Sequence, residues 1–213
     1  MNSSDTTTSI GSTRQQPARE LKQERAHRTR EQILWAAAEE FKEKGYPVVT
    51  LQHVATRAGL TKGAVYFHFT NKEALAVAVV EEHYAHWAPL VTEVRESERS
   101  PLDIMITVLD RTAELFRDDT MVQAGARLQI ERSLIKADLP QPYVGWQELL
   151  TTLAAAAVET GQLRPDTSPE ALARVLVAAF FGTQHISDVL TGRADLMDRY
   201  AELRDIIFAG VTA

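Results

Sequence analysis

Cysteine is missing altogether from the 213 residues, so disulfides, thiolate zinc sites and cysteine nucleophiles are excluded. No apolar run approaches the roughly 20 residues that a bilayer-spanning helix needs, and no membrane partner is expected. Sustained alternation of apolar and polar residues is lacking too, as are hairpin signals, which removes the strand-rich folds. Nor is there a G-x-S-x-G elbow, a phosphate-binding loop or a G-x-G-x-x-G turn, so the familiar nucleophile and nucleotide motifs of enzymes are not present. The start, MNSSDTTTSIGSTRQQP, has no basic-then-apolar order and reads as a disordered tail over residues 1–18 rather than a secretory signal. The protein is therefore expected in the cytoplasm.

What is present is an ordinary globular composition, 45% hydrophobic and 24% charged, in a chain long enough for a small headpiece on a larger body. The net charge of −6 would weigh against a nucleic-acid partner if it were evenly spread. It is not. Residues 1–75 hold 11 Lys and Arg against 8 Asp and Glu, so the remaining 138 residues carry all of the acidic excess. Arg14, Arg19, Lys22, Arg25, Arg28 and Arg30 crowd together with only Glu20 and Glu24 opposing them, enough for local attraction to phosphates. A charge run alone reads as a solvated helix face, and only the motif that follows reverses that reading.

Apolar residues recur at helical spacing nearly everywhere, so the chain reads as all-α. A first long helix over 20–44 carries Ile33, Leu34, Ala37 and Phe41 on one face and stops at Gly45. Thr50 caps a short helix with a Leu51, Val54, Ala55, Ala58 stripe, and Gly59 supplies a left-handed turn. Thr61 caps the next helix, to about Phe67, and Thr70-Asn71 caps a long helix from Lys72 towards Glu96. Beyond Pro101, helices are expected at 101–117, 119–136, 141–160, 168–190 and 194–211, separated by Asp, Gly and Pro breaks.

Two short helices joined by a glycine turn are a helix-turn-helix when small residues sit at the crossing and an apolar residue locks the second helix. Ala55, Gly59 and Val65 fill these places. The start of the second helix then faces a DNA major groove. Lys62 can donate to guanine O6 and N7, Gly63 permits close backbone approach, and the hydroxyls of Thr61 and Tyr66 can meet phosphate oxygens. Lys72 is placed for a further phosphate, while Phe67 and Phe69 are expected to pack inward.

Residues 50–75, TLQHVATRAGLTKGAVYFHFTNKEAL, resemble the signature of the TetR family of regulators. The resemblance implies an N-terminal three-helix DNA-binding domain (19–70) and a C-terminal helical ligand-binding and dimerisation domain (71–213). It implies DNA contacts from Arg28, Thr50, Gln52, Thr61, Lys62, Gly63, Ala64, Tyr66, Phe67, His68 and Lys72. It further implies a bacterial homodimer on palindromic double-stranded operator DNA, a repressor released by a small ligand, with no cofactor and no enzymatic activity.

The segments VEEHYAHW (80–87), AGARLQ (124–129) and LPQPYVGW (139–146) are similar to the γ-butyrolactone-receptor subgroup. That likeness implies a diffusible autoregulator of the γ-butyrolactone, butenolide or furan type and control of secondary-metabolite genes. The alternative is a regulator of efflux or catabolism answering to an unrelated hydrophobic ligand. The subgroup's pocket tryptophan matches Trp146; Tyr84, Gln129 and Tyr143 fall in matching segments and could bond a polar head, while Met105, Leu109 and Phe180 could flank an alkyl tail. Read from the residues alone, a pocket needs apolar walls and a few convergent polar groups, and Gln129, Thr183, Gln184 and His185 interrupt apolar helices. Each fits a satisfied structural polar group as well. Tyr84 and Trp87 equally fit packing of the connecting helix.

The stretch 171–182 is apolar nearly all round and calls for burial on more than one side. With Leu196, Tyr200, Leu203, Ile206, Ile207 and Phe208 of the last helix it suggests a four-helix interface across a two-fold axis. An enzyme is the rival class, and its one cluster is Glu81, Glu82, His83 and His86. The paired Glu-x-x-His motifs of helix-bundle metal sites are lacking, and a solvated helix face is the expected account of that cluster.

Overall fold

A computed structural model describes residues 16–95 and 98–213 of the chain. The expected tail falls almost wholly outside the described residues, as do Arg14 and Glu96. Ten α-helices are present among the described residues: α1 (Gln16–Lys44), α2 (Leu51–Arg57), α3 (Lys62–His68), α4 (Lys72–Ala85), α5 (Ala88–Arg95), α6 (Pro101–Asp118), α7 (Thr120–Ile130), α8 (Val144–Glu159), α9 (Pro169–Thr191) and α10 (Leu196–Val211). A single 3-10 turn, Arg132–Leu134, follows α7. The one extended pairing among the described residues is an isolated bridge between Leu163 and Thr212. None of these helices is long and apolar enough to cross a membrane.

Short polar side chains set the helix starts, by accepting the N–H groups that a first turn leaves without partners. Thr50 accepts from His53 N–H and Thr61 from Ala64 N–H, both at 3.2 Å. Asn71 accepts from Ala74 N–H at 2.7 Å, and Asp119 serves both Met121 and Val122. At the other end of α6 the buried Gln123 amide donates to the carbonyls of Phe116 and Arg117.

Two apolar cores result. Ile33, Phe41, Leu51, Val54, Val65 and Leu75 build the first, within α1 to α4, and Met121, Ala124 and Leu128 of α7 complete it. The second gathers Met105, Phe116, Leu150, Leu176, Phe180 and Tyr200 from α6 and α8 to α10. Val122 and Ala126 of α7 belong to this second core, so α7 is shared between head and body. Tyr84 packs against both.

Several expectations are corrected. The helix from Lys72 is not continuous: α4 stops at Ala85 and α5 begins at Ala88, with Pro89 in the first turn of α5, where its missing N–H leaves nothing unpaired. The bend buries Trp87 and brings His86 Nδ1 to 2.9 Å from Asp119 Oδ2. α1 starts at Gln16 rather than 20, and α7 ends at Ile130 rather than 136. Phe67 is 81% exposed, whereas Phe69 packs inward as expected. Leu196, Tyr200 and Phe208 lie in the protein's own core, leaving Ile206 as the exposed large apolar residue of α10.

Candidate nucleic-acid interface and ligand cavity

The helix-turn-helix is built as its sequence predicts. Ala55 and Val65 are fully buried at the crossing, and Gly59 turns the chain at φ +64°, letting Leu60 N–H reach the Ala55 carbonyl at 2.9 Å. A non-glycine residue resists that backbone region. α2 is fixed to α1 by Arg57, which donates to Glu40 and Glu43 at 2.6 Å each. Burial would raise the Glu40 pKa, but the bonds from Lys44 and Arg57 outweigh it and hold the carboxyl below its ordinary range.

This anchoring leaves one face of α3 free. Thr61, Lys62, Gly63, Tyr66 and Phe67 are exposed there, with Ala64 and His68 half-buried. The Lys62 ammonium lies 5.5 Å from the Tyr66 ring centre, and the Phe67 ring meets His68 edge-on at 5.1 Å. Thr50 and Gln52 are exposed on α2, and Arg28 on α1. Lys72 is engaged by its own chain: its ammonium donates to the Tyr46 carbonyl at 2.9 Å and sits 4.2 Å from the Tyr46 ring centre.

In the body, residues of α4, α5, α6 and α8 and of the segments just before α5 and α8 line a chamber of about 740 Å³ that is open to solvent on one side. Trp87, Val91, Ile104, Trp146, Leu149 and Leu153 supply apolar wall, with Tyr84 and Tyr143 at one side. That side narrows into a crevice of about 20 Å³ that adds His83, Gln129, Phe181 and Gln184. Gln129 donates to the Tyr84 hydroxyl at 3.2 Å and to the Pro140 carbonyl at 3.1 Å. Its own carbonyl oxygen, like that of Gln184, is buried without a partner, an arrangement costing about 1–3 kcal/mol per group. Trp146 meets Trp87 edge-on at 5.1 Å. Tyr143, the N-cap of α8, is held at φ +69°, a strained backbone for an aromatic residue.

His83 is nine-tenths buried, not on a solvated face. Burial pushes its imidazole down to about 4, so it is neutral at pH 7, and the Trp87 indole N–H points to its Nε2 at 3.5 Å. His83 is itself fitted against Gly125 of α7, where a Cβ would lie 2.4 Å from His83 Cβ.

The structure thus brings together Tyr84, Trp87, Gln129, Tyr143, Trp146 and Gln184. Leu109 and Phe180 line a separate void of about 10 Å³ behind Trp146. Met105 is fully buried and Thr183 half-buried; neither lines the chamber or the crevice. Sequence reasoning missed His83, Phe181, Val91, Ile104, Leu149 and Leu153. Leu149 and Leu153 stand at helical spacing from Trp146, and His83 one turn before Trp87, so that spacing was the available signal.

α9 and α10 carry an exposed apolar surface: Val175, Ile186, Val189 and Leu190 on α9 and Ile206 on α10 are each at least half exposed. Such patches mark contact sites between proteins.

Residues 33–79 match the family model for bacterial regulatory proteins of the tetR family, and residues 99–213 match a tetracyclin repressor-like C-terminal domain. The chain belongs to the TetR family. It is similar to the A-factor receptor protein of Streptomyces griseus, 35% identical over 85% of this chain and 63% of that protein, so it spans less than two thirds of that relative's length. Among solved structures it is similar to a protein studied for the control of antibiotic production by bacterial hormones, with a TM-score of 0.80, 53% identity, and 87% of this chain and 98% of that chain covered. It is also similar to a γ-butyrolactone receptor, an ArpA-like protein, with a TM-score of 0.77, 30% identity, and 88% and 90% covered.

Proposed function

We propose that the protein is a ligand-responsive transcriptional repressor that binds palindromic operator DNA as a homodimer and is released by a small autoregulator of the γ-butyrolactone, butenolide or furan type. Secondary-metabolite genes are the targets that the related receptors suggest. The observation that carries this reading is the pairing of an exposed α3 face with a chamber whose aromatic wall ends at unpartnered buried amide oxygens. A molecule with an alkyl body and a hydrogen-bonding head suits such a space.

Residues 19–70 serve as the DNA-binding domain and 71–213 as the ligand-binding and dimerisation domain, after a tail over 1–18. Lys62, Gly63, Ala64 and Phe67 approach base edges, while Arg28, Thr50, Gln52, Thr61, Tyr66, His68 and Lys72 meet the backbone. Lys72 does so from its seat on the Tyr46 turn. Tyr84, Gln129, Tyr143 and Gln184 bond the ligand's head, with Trp87 and Trp146 against its ring or chain; Leu109 and Phe180 support Trp146 from behind. The exposed faces of α9 and α10 join two copies across a two-fold axis. The protein works in the cytoplasm, without enzymatic activity and without a cofactor.

Ligand favours a dimer whose reading helices no longer match half-sites about one DNA turn apart or a multiple of it. A gel-shift assay tests this with a γ-butyrolactone, butenolide and furan panel added to the protein–operator complex. Release by members of one class supports the reading; a complex indifferent to the whole panel, yet released by unrelated hydrophobic compounds, replaces it with a regulator of another type.

A further inference from the structure

The last turn of α7 faces two ways. Ala126 and Gln129 line the crevice, while Arg127 and Glu131, about 100° round the helix from Ala126 and from Ile130, reach the head. Arg127 Nη1 donates to the Lys42 carbonyl at 2.7 Å, near the end of α1, where helix carbonyls lack partners of their own. Glu131 Oε2 accepts from Tyr46 N–H at 2.6 Å. The two side chains are tied to each other at 3.2 Å. Gly45, between the gripped residues, has φ +76°, and a Cβ there would lie 2.6 Å from Glu131 Oε1 and 2.7 Å from Arg127 Nη2. The tips of both side chains therefore lie directly over Gly45.

The gripped turn leads directly to the Thr50 cap of α2, and it is held from its other side by α4. Lys72 bonds the Tyr46 carbonyl and Glu73 accepts from the Tyr46 hydroxyl at 2.8 Å. A ligand head that competes for the Gln129 side chain pulls on the α7 turn carrying Arg127 and Glu131. A shift of about 1 Å takes bonds of this length beyond hydrogen-bonding range.

We propose that the Arg127–Glu131 pair is a positioning element that couples occupancy of the cavity to the DNA-reading head, acting on the Gly45–Tyr46 turn. This rests on the ligand-responsive reading above. It makes α7, and not α4 alone, the route by which the head senses the body.

The test reads ligand binding and operator binding separately, by tryptophan fluorescence and by anisotropy of labelled operator, with a synthetic alkyl-γ-butyrolactone as probe. In Glu131→Ala, lactone affinity stays within about twofold of the parent, while the lactone-induced loss of operator affinity, of order tenfold or more in the parent, disappears. Glu131→Gln, whose amide oxygen can still accept from Tyr46 N–H, keeps the response. A merely structural Glu131 would weaken operator binding and leave the lactone's fold-effect unchanged, and that result overturns the proposal. If the lactone neither alters parental fluorescence nor releases parental operator, the ligand assignment fails, and a lactone-free arm then decides on the coupling. Ala126→Phe, which fills the crevice, should weaken operator binding about tenfold alone and less than about twofold beside Glu131→Ala. No weakening, or equal weakening in both backgrounds, overturns the coupling.

Discussion

Gly125 and His83 are in such close contact that a methyl group on the glycine would coincide with the imidazole: its carbon would stand 2.4 Å from both Cβ and Cγ of His83. α4 and α7 meet there, at the junction of head and body. Gly125→Ala must push His83 aside, and His83 in turn contacts Tyr84 and Trp87 edge-on. Overpacking of this kind costs about 1–3 kcal/mol. Urea denaturation should show that loss, with weakened ligand binding; unchanged stability would mean that the helices can separate freely.

His83 also sets a pH dependence. Burial lowers its folded-state value from 6.5 to about 4, against the attraction of Asp119 and with the repulsion of His86. Between those two values the unfolded chain binds a proton that the folded chain does not. The contribution is therefore complete above about pH 6.5 and is lost as pH falls towards 4, to a limit of about 3 kcal/mol. Stability measured by urea between pH 7 and pH 4 should fall with a component of one proton that Phe at position 83, in His83→Phe, removes. An identical slope in both proteins would assign the proton elsewhere.

Trp146 forms wall of both the chamber and the crevice and lies far from α3 in the chain. Trp146→Ala should leave operator binding intact and abolish release by ligand in a gel shift. Loss of operator binding would instead reassign Trp146 to folding.

On α3, Lys62→Ala should weaken operator binding by about 1–3 kcal/mol and relax preference at one base position. Systematic substitution of each operator base pair, with binding measured by anisotropy, checks this. Undiminished preference at every position would remove Lys62 from base reading.

Ile206 is 74% exposed and Val189 68%. If these faces join two copies, the pair Val189→Asp and Ile206→Asp should yield a monomer by sedimentation, with operator affinity lost because a single head cannot hold two half-sites. A dimer that survives both changes would place the interface elsewhere.

The head was legible in the sequence because its devices are local. Thr50, Thr61 and Asn71 each cap a helix within three residues, and Gly59 turns within one, so spacing alone located α2 and α3. What was not legible depends on contacts between distant parts of the chain. His83 looks like half of a solvated His pair until Gly125, 42 positions later, makes room to bury it. Phe67 sits on a helix of seven residues, too short for periodicity to reveal a face, and proved to point outward. Tyr200 and Phe208 share one face of α10, which packs on α6 through Tyr200 and Asp110 at 2.6 Å, whereas Ile206, two positions before Phe208, lies on another face and is exposed; grouping all the apolar residues of α10 as one surface ignored that spacing. The bend after Ala85 was readable in principle: Pro89 signals it, but the apolar pattern continues across it. In the cavity, Trp146, Tyr84 and Gln129 were found by likeness to a subgroup, whereas Leu149 and Leu153, three and seven positions after Trp146, could have been reached from it by helical spacing.

The central claim is that α3 of two paired chains reads a palindrome and lets go when the cavity fills. Selection of binding sites from a random pool of duplex DNA, with and without the lactone, butenolide and furan panel, tests it most directly. The account predicts enrichment of two inverted half-sites centred about one helical turn, or a multiple of it, apart, and collapse of that enrichment with one class of compound. A pool that yields no inverted repeat from the dimeric protein would contradict it.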